Sequence, residues 1–254
     1  MLSRKIACKK GSRIENKLSC YLSKKLASKS FVVKCIVMIL ALANSKGGVG
    51  KSTLAVHLAV WLHEKGRQVA FVDSDVQGSS SAWLKEAAPE IKPIRLLTPE
   101  DVVAQLPKLQ ADVVIVDGPA GLSEVTRAIL VLSDLAILPC GPSILDLRAL
   151  IEAVGIIRKI QEIRHGSPKM VIVPNKLQMQ YRLSKELLQT IQSQEMPVGE
   201  GLGLRQAYAD AAGQGTVVWR MNTQSARVAT AEMQFLFQQL YESTPHHERR
   251  SANV

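Results

Sequence analysis

Cysteine is nearly absent from this 254-residue chain: there are four, and three of them, Cys8, Cys20 and Cys35, fall within the first 37 residues. Cys140 stands alone in the remainder, so there is no disulfide framework, no metal-ligand spacing and no set of thiolates for an iron–sulfur cluster. Aromatic residues make up only 4% of the sequence. Trp61, Trp83 and Trp219 are isolated and not interleaved with basic clusters, which suits packing rather than base stacking. Histidine is thin as well. His57 and His63 fall in one helical stretch, His165 near a helix end and the other two in the tail, so no histidine is evident as a base beside Cys140. Long apolar runs are also missing: the longest, around Phe31 to Ala43, is broken by Lys34 and is too short to span a bilayer. The sequence after Tyr241 contains Pro245 and almost no apolar face, which argues against a membrane-bound helix.

Acidic residues are missing from the front of the chain. Residues 1 to 37 hold ten Lys/Arg and one acid, Glu15, so +9 of the net +10 resides there and the rest of the chain is close to neutral at +1. The run ending in Ala41-Leu42-Ala43 imitates a signal peptide, but cleavage there would remove a strand that the adjoining glycine loop needs. A basic arm that touches nucleic acid is a second reading. The preferred reading takes Met38 as the natural start and residues 1–37 as a disordered or misassigned extension.

What is present is a glycine loop. Residues 46 to 53 read Lys46-Gly47-Gly48-Val49-Gly50-Lys51-Ser52-Thr53, a phosphate-binding loop with Ser45 where the general pattern has its first glycine. A polyphosphate needs several backbone N–H groups turned inward together, in conformations that side chains obstruct. Ile36 to Ala43 reads as a buried strand, and Ser52 to Lys65 has apolar residues at helical spacing. The helix start would aim free N–H groups and the positive end of its dipole at the phosphates. Lys51 is expected at the β- and γ-phosphates and the Ser52 hydroxyl on Mg²⁺. Two further short strands, Gln68 to Val72 and Ala111 to Val116, run into Asp73-Ser74-Asp75 and into Asp117. Ligands bind beyond the carboxyl ends of strands in open α/β sheets, so these acids should face the nucleotide. Asp117 matches the aspartate that holds Mg²⁺ through water in P-loop enzymes.

The remainder alternates. A short strand is expected at Ile94 to Leu97, then helices at Pro99 to Leu109 and Leu122 to Leu132, a strand at Leu135 to Pro139 and a long helix at Ser143 to Arg164. A strand at Lys169 to Pro174 and helices at Arg182 to Gln194 and Ser225 to Tyr241 close the series. Such alternation implies βαβ units in an α/β, P-loop NTPase fold: a mostly parallel twisted sheet with helices on both faces. The domain plan is an extension at 1–37, one P-loop domain at 38–242 and a polar tail at 243–254.

The loop with its extra lysine, Lys46, is the deviant Walker A form and resembles the ParA/MinD family, in particular the short plasmid-partition (ParF-like) members. Asp73-x-Asp75-x-Gln77-Gly78 is similar to the second block of that family, although proline usually stands where this chain has Val76. Asp134 to Pro139 followed by Pro142-Ser143-x-x-Asp146, Val173-Pro174-Asn175-Lys176, and Arg205-x-x-Tyr208-x-x-Ala211 resemble its later blocks. The resemblance implies that Lys46 reaches the phosphates across a dimer, that Asp75 orients the attacking water, that Asp73 supports the metal shell and that Asn175 contacts adenine. It further implies an ATP- and Mg²⁺-dependent homodimer, cytoplasmic and nucleoid-associated, that binds DNA non-specifically. A ParB-like or other adaptor would stimulate hydrolysis, with a plasmid, a chromosome origin or a protein assembly as cargo. Among Arg182, Lys185, Arg205, Arg220 and Arg227, the pair Arg205 and Arg227 falls in the blocks that resemble DNA-contact regions, while a solvated helix face is the competing reading for each. A metabolic ATP-dependent amidase or carboxylase on the same scaffold is the alternative function.

Overall fold

The computed structural model describes residues 37–242. The expectations for the basic front segment and for the polar tail lie outside the described residues.

Six strands form one sheet: β1 (Met38–Leu42), β2 (Val69–Asp73), β3 (Ile94–Arg95), β4 (Val113–Asp117), β5 (Leu135–Cys140) and β6 (Lys169–Pro174). Their order is β3-β2-β4-β1-β5-β6 and every pairing is parallel. Parallel strands covered on both faces are apolar at nearly every position, and β4 (Val113 to Asp117) and β5 (Leu135 to Cys140) are buried throughout.

Alternate residues of each strand feed two separate cores. Leu40, Leu42, Phe71, Ile115 and Ile137 pack on one face with helices α1 (Lys51–Glu64), α2 (Ser79–Ala87), α7 (Gln206–Gly213) and α8 (Gln224–Glu242). Ile39, Ala41, Val72, Val114 and Leu138 pack on the other face with α3 (Pro99–Gln105), α4 (Glu124–Leu132), α5 (Ile144–Ile163) and α6 (Arg182–Ser193). Each fully buried Leu, Ile, Val or Phe side chain among them contributes about 1.5–3 kcal/mol relative to exposure, which fixes strand register face by face.

Helix starts follow local capping chemistry. Thr98, Ser123 and Ser143 accept backbone N–H groups at the starts of α3, α4 and α5. The expected helix from Pro99 to Leu109 instead ends at Gln105 and tightens into a 3-10 turn, Leu106–Lys108, because Pro107 cannot supply the N–H that would continue it. Two helices carry no clear sequence signal. α2 opens on Ser79-Ser80-Ser81, poor helix formers, and α7 spans only 8 residues. Tertiary packing of Trp83, Leu84 and Ala87, and of Ala207 and Ala211, holds them.

The sheet order places the chemistry. β4 lies between β2 and β1, and Asp117 pairs in register with both Leu42 and Asp73. The glycine loop after β1 and the acids ending β2 and β4 therefore share one edge of the sheet.

Candidate nucleotide site

The loop between β1 and α1 is wound by glycines in the left-handed region, Gly48 at φ 74° and Gly50 at φ 102°. Asn44 buckles its base: its Oδ1 accepts from Lys46 N (2.9 Å) and its Nδ2 donates to Pro139 O (2.7 Å). Asn175, at the end of β6, braces the other side, where its Nδ2 donates to Val49 O (2.7 Å). A Cβ on Gly50 would stand 2.2 Å from that nitrogen, so only glycine fits. α1 then starts with no side-chain cap and no acidic residue in its first turn, leaving its N–H groups for an anion. The result is a cleft of about 240 Å³, lined by Gly47, Gly48 and Gly50 to Thr53 of the loop and closed by Asp75, Ala120 and Lys176.

Three lysines surround the loop. Lys51 is buried and donates to Lys46 O (3.0 Å). Burial lowers its pKa, against the pull of Asp117 and Asp75. Lys176 donates to Gly48 O (2.6 Å) from a backbone at φ 58°. Lys46 forms an ion pair with Asp146 on the first turn of α5, with 40% of its side chain exposed. The signature lysine is thus held in cis by the first turn of α5.

Asp117 is 1% exposed and neither carboxylate oxygen makes a hydrogen bond. Burial pushes its carboxyl up to about 6; the neighbouring Ser52 and Ser80 hydroxyls, which lie beside it without closing a full hydrogen bond, and Lys51 pull it down, while Asp73 pushes it up. Two buried carboxylate oxygens without donors, next to a serine hydroxyl, form a hard-oxygen set that suits Mg²⁺. Among the described residues no group of three or more His, Cys, Asp or Glu is placed to hold a metal. An ion here would therefore rest on Ser52, Asp117 and the nucleotide's own phosphates, as Mg²⁺ commonly does.

The structure gathers Gly47, Gly48, Gly50, Lys51, Ser52, Thr53, Asp75 and Asp117 about this cleft, with Lys46 reaching it through its carbonyl, which accepts from Lys51, while Val49 sits buried beneath the loop. Three of the expected residues make hydrogen bonds within the protein. Asp73, expected in the metal shell, is saturated by protein donors: Oδ2 accepts from Ser81 N (3.0 Å), Ser81 Oγ (2.5 Å) and Arg95 Nη1 (3.0 Å), and Oδ1 accepts from Asp75 N (3.0 Å). Asn175, expected at adenine, spends its amide on the loop and on Lys176 N (2.8 Å). Arg205, expected on DNA, turns inward to Glu232 through Nε (2.8 Å) and Nη2 (2.5 Å). Arg227 stays exposed on α8, with one loose contact to Asn222 Oδ1 (3.4 Å). Sequence reasoning missed Lys176, signalled only by its place after Asn175, and Arg95, which carried no signal on a two-residue strand.

Residues 40–218 match the CobQ/CobB/MinD/ParA nucleotide binding domain. The chain belongs to that family. It is a P-loop ATPase of the ParA/MinD type. Maintenance of carboxysome distribution protein A from Halothiobacillus neapolitanus is 30% identical over 207 residues, spanning 78% of this chain and 94% of that relative. The chromosome-partitioning ATPase Soj of Thermus thermophilus is 34% identical over 144 residues, 51% of this chain and 57% of Soj. In fold, the chain is similar to the septum site-determining protein MinD of Pyrococcus horikoshii, complexed with Mg-ADP, at a TM-score of 0.61 and 16% identity over 78% of this chain and 94% of that one. Among the described residues no helix is long and apolar enough to cross a membrane.

Proposed function

We propose that this ATPase works as an ATP-dependent dimer that binds DNA non-specifically and positions or segregates a cargo, with an adaptor protein that stimulates hydrolysis. Its nucleotide is ATP and its metal is Mg²⁺, held by Ser52 and Asp117, which neutralises charge on the phosphates when bound. The loop N–H groups and Lys51 hold the triphosphate, and Asp75, facing the same cleft, orients the water that attacks it. The carboxysome-distribution relative, matched over nearly its whole length, supports a protein assembly as cargo beside the plasmid or chromosome that partition relatives suggest. The site of action is the cytoplasm, at the nucleoid.

The observation that carries this reading is Lys46. Its ammonium is partly exposed and is paired with Asp146 on the first turn of α5, the turn that opens with Ile144 and Leu145, each 59% exposed. A partly exposed cation whose only ion-pair partner among the described residues sits on the same helical turn as an unpacked apolar pair suits a contact with a second subunit's phosphates. The metabolic alternative draws no support from Cys140, because burial, then Asp146, pushes its thiol up to about 12 against the pull of Lys46, leaving it inert as a nucleophile.

The test is Lys46→Gln. This protein should bind a fluorescent ATP analogue yet stay monomeric by light scattering with ATP. An unaltered ATP dimer would sink the reading.

A further inference from the structure

Beyond β2 the chain turns sharply. Gly78 N donates to Asp75 O (3.1 Å), closing a four-residue turn with Val76 and Gln77 at its centre. Gln77 N also donates to the Asp75 carboxylate (2.9 Å). The second position of such a turn favours proline, whose ring presets φ. Val76 occupies it here, 76% exposed, so neither a ring nor a core contact holds the turn in shape.

Arg95 holds it instead. From the end of β3 its Nη2 donates to Asp75 O (2.6 Å) and Val76 O (3.1 Å), and its Nη1 donates to Asp73 Oδ2 (3.0 Å). The guanidinium is a rigid planar fork, so three acceptors fixed by one plate are fixed relative to each other. Its anchor does not move easily: Asp73 is fully buried and gripped by Ser81 from α2. The approach is also close. A Cβ on Gly78 would stand 2.3 Å from Nη1, with φ at +68°.

We propose that Arg95 is a positioning residue for ATP hydrolysis: it fixes the Asp75–Gly78 turn, and so the carboxylate of Asp75, against the cleft. The inference rests on the reading of Asp75 as the group that orients water. Arg95 touches no nucleotide-binding residue of the glycine loop, so its loss should cost turnover and spare binding.

The test uses the full chain, with single-turnover hydrolysis of Mg·ATP and equilibrium binding of a fluorescent ATP analogue. Arg95→Gln should slow hydrolysis by roughly 10- to 100-fold, the cost of a displaced reacting geometry, with affinity held within about twofold. Adding Val76→Pro should restore most of the rate, because it presets the turn that Arg95 had held. The Val76 amide donates to no described residue, so proline removes no hydrogen bond there. Normal hydrolysis by Arg95→Gln, equal loss of binding and turnover, or failure of Val76→Pro to rescue would each overturn the proposal. Asp75→Ala is measured in parallel. Normal turnover by that variant would show that the water-orienting reading has failed, independently of what Arg95 does.

Discussion

His57 sits in surroundings unlike those of a surface histidine. It lies fully buried on α1, beside the nucleotide loop, among Trp83, Tyr208 and Trp219 at ring-centroid distances of 5.3, 6.2 and 5.5 Å. Its Nδ1 contacts Thr53 O (2.8 Å) and its Nε2 lies 3.2 Å from Val218 N, which donates to it. A ring nitrogen that accepts from an amide carries no proton, so the neutral form with hydrogen on Nδ1 is the one that fits both partners. Burial lowers its pKa to about 4, opposed by the Thr53 carbonyl. A histidine that charges more readily when unfolded contributes stability that is complete above its unfolded pKa and is lost as pH falls from there toward the folded value. For His57 that window runs from about 6.5 down to about 4, and the loss across it is about 3 kcal/mol. Urea midpoints should therefore fall between pH 7 and pH 4.5 by more in the native chain than in His57→Gln. An imidazole that titrates near the ordinary value by NMR would refute this assignment.

Among secondary-structure elements, legibility tracked how local the determining physics was. β1, β4 and β5 were readable because parallel strands buried on two faces need unbroken apolar runs, and the glycine loop because its backbone admits few other residues. The acids at the ends of β2 and β4 followed from sheet geometry alone. What each side chain does with its hydrogen bonds was not readable. Asp73 is claimed by Arg95, 22 residues further on, and Arg205 by Glu232, 27 residues further on. No periodicity encodes either meeting. Arg205 accordingly belongs to the packing of α8 against the segment before α7, where Glu232 also accepts from Tyr208 Oη (3.1 Å) and Gly203 N (3.3 Å). Both side chains of the pair are less than a third exposed, so Arg205→Ala leaves a half-buried carboxylate short of its main donor and should cost about 1–2 kcal/mol. Denaturant unfolding measures this directly. A variant as stable as the native chain that had lost DNA binding would return Arg205 to the DNA surface.

For the whole molecule, charge decides how DNA could be held. Outside the front segment the chain carries a net charge of only +1, too little to attract a duplex as a monomer through its overall field. Arg205, Arg220 and Arg182 are each matched by a carboxylate, Glu232, Glu64 and Glu186 respectively. Among the described residues, Arg227 on α8 has no ion pair of this kind, and it remains exposed. Pairing two subunits doubles such unmatched cations on one surface, so DNA affinity should require ATP and be indifferent to sequence, and each phosphate contact should release counterions. Arg227→Ala should weaken binding equally on all duplexes, and should reduce the slope of log affinity against log salt by about two, one contact from each subunit at about 0.9 apiece. Basal hydrolysis should be unaffected, since Arg227 lies outside the cleft. The measurement is fluorescence anisotropy with labelled duplexes across a salt series, in ATP and in ADP, on a chain lacking residues 1–37 so that the +9 of that segment does not mask the effect. Equal affinity in ADP and ATP would rule out a dimer-built surface, and an unchanged salt slope in Arg227→Ala would place the DNA contacts elsewhere on the dimer.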